Sequence, residues 1–348
     1  MKVWAWLIAA ALVGQDASQF KVRSNLVFLP TRVQTKQGDT VYGLRAEQFI
    51  VEDNGVRQVV NVDEDPESSG LSLVVAVECG RSAPLEFKKL KGLGAMIGGI
   101  VGDAPHEVAI VSYGAGPYLL SDFSRGSDAV AAGLAKLKDC RSNYAATIDT
   151  VSYAIEMLKR RRNHYRRAIL LIGETRDHGS KAKLDEVVME LGVTDTVIYS
   201  VAFSPGRDEA LHDLMHVNDG YNVPVPKDPG PPPDVEKTPV AESTWREKTP
   251  WMSWPPQLLL IVNALRRNTA SELATLSGGE YANFTTQKGF DAELHRISNE
   301  IHNYYLLSFK PAGEAGWGLH TLKVRVAEYP DAVIQTRKSY WAGMLDSK

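Results

Sequence analysis

LSLVVAVECGRSAP, Leu71–Pro84, is the stretch that decides how this chain folds. From Leu71 to Val77 the run is almost wholly apolar and shows no alternation with polar residues. That is the mark of a strand buried on both faces, as inside a parallel sheet. The run stops abruptly at an acid, Glu78, followed by Cys79, Gly80, Arg81 and Ser82. In open α/β sheets ligands gather outside the carboxyl ends of the strands. An acid and a hydroxyl at such a strand end raise two questions, whether the place holds a metal and whether it holds a nucleophile.

Downstream, strands and helices alternate. PLEFKKLKGLGAMIGGIV has helical character. HEVAIVSYG and GPYLLSDF read as strands, and DAVAAGLAKLK and AATIDTVSYAIEMLKRRR as helices. RRAILLIGE is a second buried strand, KAKLDEVVMELGV a helix and DTVIYSVAF a strand. This rhythm predicts an α/β fold with a mostly parallel, doubly wound sheet and helices on both faces. Residues 204–256 interrupt it with Pro-rich NVPVPKDPGPPPDVEKTP and the three tryptophans of WREKTPWMSWPP. A loop of that length is functional or disordered, and its tryptophans either cover the domain or form an exposed aromatic contact for a partner. The pattern resumes with a helix ending at Gly278-Gly279, the strand EYANF and the helix FDAELHRISNEIHN.

Both flanks are β-rich. Residues 23–64 predict three or four antiparallel strands, with an Asn54-Gly55 hairpin turn. YYLLSFKP, HTLKVRVAEYP and AVIQTRKSYWA close the chain. LKVRVA alternates, so it is half-exposed and antiparallel. The two flanks are expected to pair into a small antiparallel β-sandwich. The resulting division is a signal peptide at 1–17, an N-terminal β segment at 20–66, an α/β domain at 69–303 and a C-terminal β segment at 304–343.

The signal peptide rests on Lys2 followed by the short apolar run VWAWLIAAALVG and polar QDASQ. That run is too short for an ordinary membrane span, so none is expected after its removal. The chain is expected to be exported, periplasmic or extracellular. Net charge is −3 over 348 residues, which argues against a nucleic-acid partner. The two cysteines, Cys79 and Cys140, are permitted a disulfide in an exported protein.

The layout resembles a von Willebrand factor type A (VWA, Rossmann-like) domain, and in particular the secreted VWA-related proteins of acidobacteria. The stretches that carry the likeness are Gln48–Gly55 (QFIVEDNG), LATLSGGEYANF, and the closing run with Pro, Gly and Ser339-Tyr340. The resemblance implies a divalent cation, usually Mg²⁺, at the C-terminal edge of the sheet, held by hard oxygen ligands. Its family pattern is Asp-x-Ser-x-Ser in a first loop, Thr in a second and Asp in a third. A partner's carboxylate often completes the shell.

Here that pattern is eroded. Glu78 stands at the Asp position, Gly80 at the first Ser and Ser82 at the second. The Thr position falls on Ala145, with Thr147 two residues on. Glu174 replaces the later Asp, and Asp177 and Ser180 match its trailing residues. A methylene added at each acid suits tight octahedral Mg²⁺ poorly. The resemblance therefore implies a degenerate, metal-free site. A looser one for Mg²⁺, Mn²⁺ or Ca²⁺ through Glu78, Ser82, Glu174 and Asp177 is the competing reading. The binding edge implied is Cys79, Gly80, Arg81, Ala145, Thr147 and Thr175, facing a protein or surface ligand. The same alignment sets Cys140 beside Cys79, where a disulfide would cross the rim, the alternative being two free, buried thiols.

Cys79 would serve a hydrolase only with a base, for which His178 is the best placed. The glycines of KGLGAMIGGIVG follow a helical stretch, so they do not make a dinucleotide fingerprint. KRRRNHYRR, 159–167, favours a helix C-terminus, or else meets an anionic partner or lipid surface.

Overall fold

A computed structural model describes residues 26–63, 70–203, 261, 268–311 and 318–342. The expected signal peptide and the 204–256 insertion lie outside them. The centre is a six-stranded mixed sheet in the order β10 (Tyr281–Phe284), β9 (Thr196–Phe203), β8 (Arg166–Gly173), β5 (Leu71–Glu78), β6 (His106–Tyr113), β7 (Pro117–Ser124). Its pairings are parallel except β6 with β7 at the edge. Every residue of β5 is buried. Leu71, Leu73, Val75 and Val77 face one core, with Ile97 and Ile100 of α2 (Leu93–Val101) and Phe290, Leu294 and Ile297 of α7 (Gln287–His302). Val74 and Ala76 face the other, with Val151 and Ile155 of α4 (Thr147–Lys159), Val188 of α5 (Leu184–Val193) and Leu273 of α6 (Thr269–Ser277). A doubly covered strand is why the sequence shows no alternation there.

The flanks form two four-stranded antiparallel sheets. One runs β13 (Val333–Gln335), β1 (Val27–Gln34), β11 (Tyr305–Phe309), β4 (Val60–Asp63). The other runs β14 (Ser339–Ala342), β12 (Gly318–Val326), β2 (Phe49–Asp53), β3 (Val56–Gln58). Each mixes strands from both ends of the chain. Leu29, Val51, Phe309 and Val324 share one core between them.

Two expectations need correction. PLEFKKLKGLGAMIGGIV is not one helix. It is α1 (Ala83–Glu86), a 3₁₀ turn at Phe87–Leu90, and α2. Gly92, at φ +88°, breaks the run in a conformation that suits glycine. AVIQTRKSYWA is not one strand either. Between β13 and β14 the chain crosses from one sheet to the other. There the buried Arg337 turns inward and donates to the carbonyls of Ser339 and Leu191.

At the N-terminal edge of the central sheet, Glu107 is nearly buried. It accepts from Ser72 Oγ at 2.7 Å, Asn163 Nδ2 at 2.8 Å and Arg161 Nε and Nη2 at 2.8 and 2.7 Å. Desolvation works against its ionisation, but the hydrogen bonds from Arg161, Ser72 and Asn163 outweigh it and hold the carboxyl below its usual range. A carboxylate so depressed stabilises the fold above its unfolded pKa, and that contribution is lost as pH falls through the folded value. Glu107→Gln should therefore lower stability by about 2 kcal/mol at pH 7. It should also flatten the fall between pH 5 and pH 3, read from urea midpoints. An unchanged pH profile would show that Glu107 gives no such support.

Candidate functional site

Three loops meet at the C-terminal edge of the central sheet: 79–82 after β5, 140–146 before α4, and 174–181 after β8. Their contacts are mostly backbone. Arg81 N donates to Ser142 O at 2.6 Å, Cys140 N to Cys79 O at 3.1 Å, and Ala145 and His178 exchange two hydrogen bonds at 2.8 Å. Cys79 and Cys140 are joined in a disulfide, with Cα atoms 5.3 Å apart. Both strand-end acids follow from buried strands that place them at the rim.

Glu78 is fully buried, and its Oε2 accepts the backbone N–H of Glu174 at 2.7 Å. Beneath it lies Tyr113, also fully buried. Burial pushes the Tyr113 hydroxyl well above its usual range, and the Glu78 carboxylate adds to that. Glu174 is held from two sides. Arg81 Nε donates to Oε2 at 2.9 Å, and Ser82 Oγ donates to Oε1 at 2.9 Å. His178 Nε2 lies 3.6 Å from the same Oε2. Arg81 reaches this position with φ +47°, a left-handed backbone that is uncommon for a non-glycine residue.

Asp177 does not join this group. Its Oδ1 accepts from Ile148 N at 3.1 Å, and Ser180 Oγ accepts from Ile148 N and Asp149 N, both at 3.1 Å. Ser180 Oγ in turn donates to Asp177. Asp149 answers by accepting from Lys181 N at 2.9 Å and Ala182 N at 2.7 Å. This exchange caps the open N–H groups of α4 with an acid and a hydroxyl from the third loop.

The expected ligand set therefore does not fit a cation. Glu78 is turned to a backbone N–H, Glu174 to a guanidinium and a hydroxyl, and Asp177 to a helix end. Among the described residues no group of three His, Cys, Asp or Glu is placed to hold a metal. The Thr position is filled by Ala145, which has no side-chain oxygen, and Thr147 is buried. Gly80 has no room for the missing serine. A Cβ there would collide with the Tyr144 carbonyl oxygen and sit 3.1 Å from that of Ser142.

The expected binding edge changes too. Cys79, Gly80, Ala145 and Thr147 are buried, so they shape the rim without presenting themselves. Arg81 is partly exposed and Thr175 is partly buried, its carbonyl accepting from Ala270 N. The large apolar side chains presented here are Tyr144, 43% exposed, whose ring closes over Gly179, and Leu85, 71% exposed, beside the exposed Arg141, Asn143 and Arg176. Tyr144 lies in the second loop and Leu85 in α1, just past the first, and neither is polar enough to have stood out as a ligand. Cys79 is bonded to Cys140, so the thiolate a hydrolase needs is not available, and the His178 ring faces Glu174.

The chain matches no protein-family model, and no curated protein matches it. Among solved structures it is similar to BatB, a conserved hypothetical protein from Bacteroides thetaiotaomicron, at 13% identity and TM-score 0.38, over 66% of this chain and 100% of that one. It is similar to the VWA domain of SpRpn10 at 16% identity and TM-score 0.33, over 44% of this chain and 83% of that one. A third likeness is to proximal thread matrix protein 1 from the mussel byssus, with a zinc-occupied MIDAS motif. There the identity is 14% and the TM-score 0.34, over 43% of this chain and 39% of that one.

Proposed function

We propose that this chain is an exported, non-enzymatic interaction module of the VWA type, whose binding edge works without a metal. The observation that carries the reading is the Arg81–Glu174 pair at 2.9 Å, with Ser82 on the second carboxylate oxygen. The guanidinium supplies, inside the loop, the positive charge that a cation would bring. The disulfide braces the rim that presents Tyr144, an aromatic side chain of the kind that anchors protein contacts, with the apolar Leu85 close to the first loop in sequence. Among the described residues no helix is long and apolar enough to cross a membrane.

Titration calorimetry of the purified protein with Mg²⁺, Mn²⁺, Ca²⁺ and Zn²⁺ tests the reading. No saturable heat is expected up to millimolar metal. Millimolar or tighter binding that Glu78→Ala abolishes would overturn it. Arg81→Gln should lower stability by about 2 kcal/mol, because it leaves the buried Glu174 carboxylate without its counter-charge.

A further inference from the structure

We propose that a cleft between the N-terminal β segment and α7 is a binding site for a neutral saccharide. The cleft has a volume of about 390 Å³, the size of an ordinary small-molecule site. One wall is the end of β1 and the turn after it, with Gln34, Thr40 and Tyr42. The other is α7, with Arg296, Asn299 and, just past the helix end, Asn303. Their spacing of three and four residues sets them on one face. Arg32 and the buried Glu300 complete the lining.

The charges in this lining are met within the protein. Arg32 pairs with Glu300 and lies 3.5 Å from Glu280. Arg296 pairs with Glu280, with Glu293 at 2.7 Å and with Glu300 at 3.3 Å. Two guanidinium groups thus face three carboxylates. A phosphate, a nucleic acid or an acidic peptide would meet a set with a negative balance, and like charges set together oppose binding. A cationic ligand would have to displace a guanidinium from each carboxylate it approached. The lining therefore favours a ligand without charge.

What it offers such a ligand is a mixed set of hydrogen-bonding groups. The side-chain amides of Gln34, Asn299 and Asn303 each carry donors and an acceptor, and the hydroxyls of Thr40 and Tyr42 do both. A sugar ring carries several hydroxyls of the same dual character, close together, and C–H bonds on its faces. Tyr42 is 68% exposed, so its ring is open to such a face. The negative face of an aromatic ring attracts the weakly positive C–H groups laid on it. An acyl chain fits less well. Apart from the Tyr42 ring every lining side chain is polar or charged, so such a chain has nothing to bury against.

Both walls are fixed before a ligand arrives. The Tyr305 hydroxyl donates to Val41 O at 2.8 Å and accepts from Leu44 N at 3.1 Å, which holds the backbone on either side of Tyr42. Gln34 Nε2 donates to Gly38 O across the turn at 3.1 Å. The Tyr42 hydroxyl donates to Asn303 Oδ1 at 3.3 Å, and Asn303 Nδ2 donates to Asn299 O at 2.7 Å, so the two walls are tied together. Little ordering is left to oppose binding. No lining residue of this cleft belongs to the Arg81–Glu174 edge, so the two sites stand or fall separately.

The test is saturation-transfer NMR of the full chain with neutral disaccharides at millimolar concentration: maltose, cellobiose, lactose and N,N′-diacetylchitobiose. Saturation is expected to reach the ring C–H protons of at least one of them. Tyr42→Ala should weaken that binding about tenfold, as stacking and the tie to Asn303 are lost together. Tyr42→Phe keeps the ring and should keep most of the binding. Asn299→Ala should weaken it as well. Both side chains are exposed, so the urea midpoints of these variants should match that of the native chain, which separates lost binding from lost fold. Three results would each overturn the proposal: no transfer to any of the four sugars, transfer unchanged in Tyr42→Ala, or tighter binding of a sulfated heparin disaccharide than of every neutral one.

Discussion

Replacing both Cys79 and Cys140 by serine is expected to lower stability by about 4 kcal/mol, the loop-closure entropy released when a bond spanning 61 residues is lost. The figure follows from the unfolded chain. The folded state adds to it. The bond ties the end of β5 to the stretch before α4, and two residues with left-handed backbones follow it closely, Arg81 at φ +47° and Arg141 at φ +52°. Without the crosslink, the Cys140 N–Cys79 O and Arg81 N–Ser142 O hydrogen bonds, the Arg81–Glu174 pair and the Arg141 N–Asp139 bond are left to oppose their return to ordinary conformations. Arg81 would then swing away from Glu174. Urea midpoints with and without reductant should reproduce the effect of the double variant. Two alkylations of the non-reduced protein, read by mass spectrometry, would show that the bond does not form and would sink the prediction.

Much of the fold was open to reading because burial writes itself into local pattern. The unbroken apolar run of β5 announced a doubly covered strand, the alternation of LKVRV announced a half-exposed one, and Asn54-Gly55 marked its turn with left-handed φ at both residues. The breaks were less open. Gly92 sits among other glycines of a helical stretch, and only the positive φ it adopts distinguishes it. Arg337 reads as a surface residue in a β run. Its inward turn depends on the carbonyl of Leu191, a partner 146 residues away. The site divides in the same way. Its location followed from the end of β5, but its wiring did not. Asp177 occupies the position of a ligand in sequence, yet α4 claims it through the Ile148 N–H, whose approach no local pattern encodes. Arg81 lies between two expected ligand positions and was expected only at the binding edge. Its role as the counter-charge of Glu174 needs the third loop beside it.

Placing a serine at position 80 is expected to cost about 3 kcal/mol or more, and to gain no metal site. A Cβ on Gly80 would meet the carbonyl oxygen of Tyr144, that of Ser142 at 3.1 Å and the Cα of Gly114 at 3.3 Å. All three are backbone atoms, so no rotamer change relieves the overlap, and overpacking against fixed backbone costs at the upper end of the usual 1–3 kcal/mol range or above it. Segment 142–144 would have to move. It carries the carbonyl that accepts from Arg81 N, and it leads directly into the Ala145–His178 bridge and the first turn of α4. The hydroxyl would therefore arrive in a loop displaced from Glu174, while Glu78 stayed turned to the Glu174 N–H. Gly80→Ser should show a lower urea midpoint and no Mg²⁺ heat in calorimetry. A variant as stable as the native chain that binds Mg²⁺ at submillimolar concentration would mean that the edge is a metal site lacking one ligand. It would also mean that the Arg81–Glu174 pair yields to a cation once the oxygen is supplied.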